Sequence, residues 1–187
     1  MKKIIISSNS SWNIINFRLD LINKLQKNNF KVIILVPFDD YSDSLKKLNL
    51  NLLHIDLDAR NLNLFKNIYL IYQFYKIFKF IKPDFFLGYT VKPNIFGSIA
   101  ASFINKIKIC NNISGLGTFY FSNIFFKYFI INLYKIALRK SSLIFFQNED
   151  DKNFFLKNKI IKLQNIQVIN GSGVDINLYP YTPLIEK

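Results

Sequence analysis

KIIISSNSSWNIINFRLDLINKLQKNNFKVIILVP, residues 3–37, is the stretch whose reading decides the fold. It opens on a short isoleucine run that predicts a strand over 3–7. The apolar spacing then changes to a helical one over 14–28, and a second unbroken apolar run, 31–36, ends at Pro37. Strands that are apolar without alternation are buried on both faces, and a helix between two of them makes a parallel crossover.

Outward from this unit the same alternation repeats to the end of the chain. A short helix near 43–48 and a strand over 51–56 lead into a long helix, 64–81, stopped at Lys82-Pro83 because the residue before proline resists helical geometry. Strands are expected at 84–88, 107–112, 142–146 and 165–169. Helices fall at 92–105 (with Pro93 in the first turn), 123–140 and 149–157. The fold class that follows is α/β: a doubly wound, Rossmann-like parallel sheet of about seven strands. One domain over 1–179 accounts for the 187 residues, with 180–187 as a linker or tail.

Composition excludes several classes. Half the residues are hydrophobic and 17% aromatic, so disorder is ruled out. A single cysteine, Cys110, permits no internal disulfide, fits a reducing cytoplasmic setting and reads as a small core hydrophobe. The net charge of +13 is carried mostly by lysine, with only Arg18, Arg60 and Arg139 among 25 basic residues. Arginine is the residue of bidentate phosphate and base contacts, so nucleic acid is not the expected partner. A lysine-rich surface beside exposed apolar side chains would instead attract anionic headgroups.

In a sheet of this kind ligands sit beyond the carboxyl ends of the strands, so the loops there hold the candidate residues. The loop after the first strand contains Ser8, Asn9 and Asn13 but no G-x-G-x-x-G, which counts against a dinucleotide cofactor. Its polar run into a helix, with Asn13 as the expected cap, offers N–H donors to an anion, and Arg18 could add a charge-assisted bond. On spacing alone, simple helix capping beside a solvated Arg18 explains the same residues. Lys92, at the positive end of a helix dipole, hints at a facing anion, with Asn94 beside it. Gly115 and Gly117 follow the fifth strand and permit close backbone approach, as do Gly171 and Gly173 ahead of Asp175. His54 and the acids Glu149 to Asp151 have sufficient structural explanations. No metal-ligand spacing, nucleophile elbow or P-loop occurs, so no catalytic residue is assigned.

Taken together, SSWNIINFRLDLINKL (10–25), PFDDYSDSL (37–45), TVKPNIFGSIAA (90–101), NNISGLGTFY (111–120), FFQNEDD (145–151) and VINGSGVDINLY (168–179) resemble the N-terminal half of bacterial family-4 glycosyltransferases of the GT-B fold. The group extends undecaprenyl-diphosphate-linked glycans in O-antigen, capsule and protein-glycosylation assembly. The resemblance implies retaining, metal-independent transfer from a UDP-sugar to a lipid-linked glycan acceptor. It places Ser8, Asn9, Asn13, Arg18, Lys92 and Asn94 near the acceptor, and Gly115, Gly117, Gly171, Gly173 and Asp175 at the donor cleft. The donor-binding C-terminal domain of such enzymes, with its paired glutamates, has no counterpart here. The chain is therefore expected to be inactive alone, and to require a donor domain from elsewhere. The alternative is a noncatalytic membrane-docking or acceptor-binding subunit of a split enzyme.

Two expected helices, 64–82 and 121–140, mix Phe, Tyr and Ile with Lys and carry no acid. Neither is an uninterrupted apolar span, and the pattern suits an interfacial helix whose lysines reach headgroups as well as it suits a core helix. With a polyprenyl-linked acceptor, the expected location is the inner face of the cytoplasmic membrane, held peripherally.

Overall fold

A computed structural model describes residues 1–117, 123–163 and 165–173. The expectations at 118–122 and from Asp175 through the 180–187 tail lie outside the described residues. The described residues form seven strands: β1 (Lys2–Ser7), β2 (Phe30–Val36), β3 (Asn51–His54), β4 (Phe85–Tyr89), β5 (Lys108–Ile113), β6 (Ser141–Phe146) and β7 (Ile166–Val168). The helices are α1 (Ser11–Phe17), α2 (Leu19–Lys27), α3 (Ser42–Lys46), α4 (Leu64–Ile81), α5 (Ser98–Ser102), α6 (Ile124–Leu138) and α7 (Glu149–Lys157). A π-helical turn, Pro93–Gly97, runs directly into α5.

All strand pairings are parallel, in the order β3-β2-β1-β4-β5-β6-β7. The doubly wound reading of the sequence is thus the fold of the chain. The path steps outward from β1 to β3, then returns to the other side of β1. Crossovers share one hand, so this reversal puts α1–α3 on one face and α4–α7 on the other. The core divides accordingly. Ile4, Ile6, Val32 and Ile34 pack with Ile14, Ile22 and Leu45 on the first face. Ile5, Ile33 and Leu35 pack with Phe74, Phe78, Phe86, Tyr134 and Phe155 on the second. Neighbouring residues of β1 serve opposite layers, as the two-residue period of a strand requires.

Two expected helices differ in detail. The single helix over 14–28 is two, because Arg18 leaves helical geometry (φ −128°, ψ −8°) at the junction of α1 and α2. Ser10, rather than Asn13, caps α1, its Oγ accepting from the Asn13 N–H at 3.2 Å. The helix expected over 92–105 ends at Ser102 and begins with the wider π turn. The reason lies in the packing. A Cβ on Gly97 would stand 2.4 Å from Cζ of the buried Phe86, so the turn lies flush on that ring. Gly88 of β4 meets Asn94 almost as closely, a Cβ there being 2.9 Å from the Asn94 Oδ1. Asn111 of β5 then fastens the turn from below, its Nδ2 donating to Asn94 Oδ1 (2.9 Å) and Ser98 Oγ (2.8 Å).

Candidate functional site

The topological reversal falls between β1 and β4, and their carboxyl ends open the crevice where such sheets bind ligands. Arg18 sits there. It is only 6% exposed, and its guanidinium lies over the Tyr89 ring at 3.9 Å. Nη1 donates to Ser172 Oγ (2.7 Å), which also receives Gln147 Nε2 at 3.3 Å. The break between α1 and α2 turns this side chain inward and so explains the irregularity. Burial lowers the Arg18 pKa, opposed in part by the neighbouring Tyr89, whose own pKa burial raises. An arginine nonetheless stays charged at neutral pH.

Among the described residues, no carboxylate forms an ion pair with Arg18. Its Nε is buried without a hydrogen-bond partner, as are Ser8 Oγ and Asn13 Oδ1. Three orphaned polar atoms within residues 8–18 form an unusual concentration, since buried polar groups are nearly always satisfied. A buried cation without an acid is costly unless an anion completes it. The charge and spare donors at this position suit a phosphate or diphosphate.

Beside it, a cavity of about 290 Å³ is lined by Asn9, Thr90, Lys92, Asn94, Gly115 and Gly117, among others. Sequence candidates from both proposed halves of the cleft thus share one wall. Thr90 holds a left-handed φ of +62°, which a β-branched residue adopts only under constraint. That strain sits at the tip of β4, where Tyr89 meets Arg18 and Lys92 starts the π turn. Gly117 (φ +69°) uses the freedom of glycine at the cavity edge.

Lys92 and Asn94 are placed differently from the other candidates. The Lys92 ammonium turns sideways and donates to Asn61 O (2.6 Å) and Asn67 Oδ1 (2.9 Å), tying down the loop between β3 and α4. Burial lowers its pKa, with Asp58 acting against that. Asn94 is buried with both ends of its amide engaged, Nδ2 on Asn112 O (2.8 Å) and Oδ1 on Asn111. Gly171 and Gly173, at φ +75° and +74°, flank Ser172 and shape the loop that meets Arg18. Asp175 lies outside the described residues. The partners the sequence concealed are Tyr89, Gln147 and Ser172, which come from three different strand ends and had no local motif to mark them.

A parallel sheet of this order, with an anion-suited crevice at its reversal, defines a doubly wound, ligand-binding type of α/β domain. Residues 3–148 match the glycosyl transferase 4-like family, and the chain belongs to that family. It is 28% identical over 181 residues to the N,N'-diacetylbacillosaminyl-diphospho-undecaprenol alpha-1,3-N-acetylgalactosaminyltransferase of Campylobacter jejuni, covering 95% of this chain and 47% of that protein. The chain thus spans about half the length of this curated relative. Among solved structures it resembles HepE from Anabaena in complex with UDP and glucose (TM-score 0.67, 18% identity, 98% of this chain and 47% of that one). It also resembles Acinetobacter baumannii MurG (TM-score 0.62, 16% identity, 96% and 48%). At such identities these two likenesses speak for the fold alone.

Proposed function

We propose that this chain is the acceptor-side half of a retaining, metal-independent glycosyltransferase that moves a sugar from a UDP-sugar to a lipid-linked glycan in O-antigen, capsule or related glycan assembly. The observation that carries the reading is Arg18, a buried guanidinium at the β1–β4 reversal with no carboxylate paired to it among the described residues. The similarity to an enzyme named for a diphospho-undecaprenol substrate supports a diphosphate as its counter-ion. In this reading Arg18 and the orphaned Ser8 Oγ bind the acceptor diphosphate, the first N–H of α1 being taken by Asp39 Oδ2 (2.7 Å), and the Asn9–Lys92 cavity receives the part of the acceptor that enters the cleft. Fixed donors in a partly dry crevice orient the acceptor hydroxyl without reorganising at each turnover. The donor is held across the strand tips by a second lobe, close to Gly115, Gly117 and the 171–173 loop.

The test is binding of two short-chain acceptor analogues, a polyprenyl-diphosphate sugar and the same sugar on the uncharged polyprenol. The diphosphate form is expected to bind at least about tenfold tighter, as one good charge-assisted contact supplies. Equal affinities would remove the reading.

A lipid-borne acceptor calls for a membrane-facing surface. Among the described residues no helix is long and apolar enough to cross a membrane. Phe65, Tyr72 and Phe80 stand exposed on α4, and Phe125, Tyr128 and Phe129 on α6. Lys76, Lys127 and Lys135 share those helices. Aromatic rings with lysines beside them suit the headgroup layer, and this supports peripheral attachment to the inner leaflet as part of the same reading. It is expected to float with liposomes containing anionic lipid at low salt and to be released as salt rises, since exposed charges are screened. Flotation insensitive to both lipid charge and salt would contradict this placement.

A further inference from the structure

A second cavity, about 450 Å³, opens between the residues after β3 and the first two turns of α4. Lys92 lines both cavities, so the two adjoin through one side chain. Neither the diphosphate reading nor the membrane surface uses this second space. Its walls carry Asp56, Asp58, Asn67, Lys66 and Lys92, with Tyr69 at the side and Leu57 and Leu70 as the apolar part.

The charges decide what fits. Two carboxylates would repel a phosphate or a carboxylate ligand, whereas two ammonium groups would repel a metal ion or an amine. Opposite charges in equal number leave no net sign to select an ion. Among the described residues no three acidic, His or Cys side chains are grouped to hold a metal. What remains is rich hydrogen-bonding capacity of both kinds. Asp56 offers Oδ1 to His54 Nε2 (2.9 Å), which leaves Oδ2 to accept. Asp58 takes the Arg60 N–H at Oδ1 (3.0 Å), and this contact is the main reason its pKa is held down, so it stays an acceptor at neutral pH. Asn67 spends Oδ1 on Lys92, which leaves its Nδ2 to donate. Lys66 supplies further donors, and the half-exposed Tyr69 offers a hydroxyl and a ring face.

A ligand that donates and accepts around its rim, shows C–H groups on a face and bears no charge matches these walls. We propose that this cavity binds a neutral pyranose ring of the glycan acceptor. Hydroxyl protons go to Asp56 and Asp58, hydroxyl oxygens receive Asn67 and Lys66, and the ring's C–H face lies against Tyr69 and Leu57. As an acceptor subsite it rests on the acceptor-side reading above. The binding of a free sugar is nevertheless independent of any diphosphate or transfer.

Saturation-transfer NMR on the 187-residue chain with N-acetylglucosamine, N-acetylgalactosamine and glucose tests this. At least one sugar is expected to receive magnetisation from the protein. That signal should weaken about tenfold or more in Asp58→Ala, in Asp56→Ala and in Tyr69→Ala, the size expected when a hydrogen bond to a charged group or a ring contact is lost. All three side chains are solvent-exposed, and unchanged thermal midpoints will show that the variants fold. No transfer at saturating sugar, transfer that survives all three substitutions, or perturbation of the cavity by inorganic diphosphate or Mn²⁺ in place of sugar would each overturn the proposal. The diphosphate reading fails separately, through indifference of diphosphate binding to loss of Arg18.

Discussion

Gly97→Val is expected to destabilise the protein by about 3 kcal/mol or more, a fall in thermal midpoint of roughly 6–12 °C for a chain of this size. On an exposed helix the same change would be mildly favourable, because glycine is about 0.8–1.0 kcal/mol worse than alanine and valine is a better helix former than glycine. The packing reverses that sign. A Cβ on Gly97 reaches within 2.4 Å of Phe86 Cζ and 2.9 Å of its Cε1. Phe86 cannot step aside, since Phe78 and Phe74 hold it at ring separations of 5.0 and 5.9 Å and all three are fully buried. Valine adds two methyls to that contact. Relief must come from the π turn itself, which would drag Asn94 off Asn111 and Asn112 and move Lys92 from the cavity wall. A double-variant cycle with Phe86→Leu isolates the cause. Shrinking the ring should make the pair less destabilising than the sum of the single changes, because the two sites share one contact. A midpoint unchanged by Gly97→Val would show that the turn slides freely, and the packing account would fail.

The same contact explains why part of this fold was open to reading and part was not. Seven strands and their parallel sense were legible because Ile4–Ile6, Val32–Val36 and Phe85–Leu87 are apolar at successive positions, a local pattern only a doubly covered strand needs. The π turn was not legible. Proline followed by apolar residues looks like any helix start, and its widening is imposed by Phe86 and Asn111, which lie in other strands. Arg18 was visible as a cation in the helix after the first strand that could meet a phosphate. Its burial, however, depends on Tyr89, 71 positions away in the sequence, and on Ser172 beyond that. For Lys92 the dipole argument pointed to a facing anion and gave no sign of the neutral partners the ammonium has. The ammonium is held by Asn61 and Asn67, two polar residues that any loop and helix start would contain. The polar cavity beside α4 was invisible for a related reason, because its carboxylates and amides come from a loop and a helix that meet only in the folded chain.

Arg18→Met is expected to reduce binding of a polyprenyl-diphosphate acceptor by about 30- to 1,000-fold, the equivalent of roughly 2–4 kcal/mol, while leaving the thermal midpoint flat or higher. The two effects part because the guanidinium serves the ligand more than the fold. It is buried, its Nε is unsatisfied and no carboxylate among the described residues pairs with it. Replacing such a charge by an apolar chain of similar length removes a desolvation penalty. Against that gain stand the bond to Ser172 (2.7 Å) and the stack on Tyr89 (3.9 Å). These are worth about 1–2 kcal/mol each, so the balance is close to zero. Binding has no such offset, since methionine offers nothing to a diphosphate. Arg18→Lys sharpens the test. Lysine keeps the charge but loses the planar fork that can stack on Tyr89 and still present two parallel donors, so it should recover only a small part of the affinity. A purely structural Arg18 would give the opposite record, with the midpoint falling in Arg18→Met and acceptor affinity following it. Calorimetry and acceptor titration on the same three proteins separate the two cases, because only an anion site lets affinity collapse while stability holds.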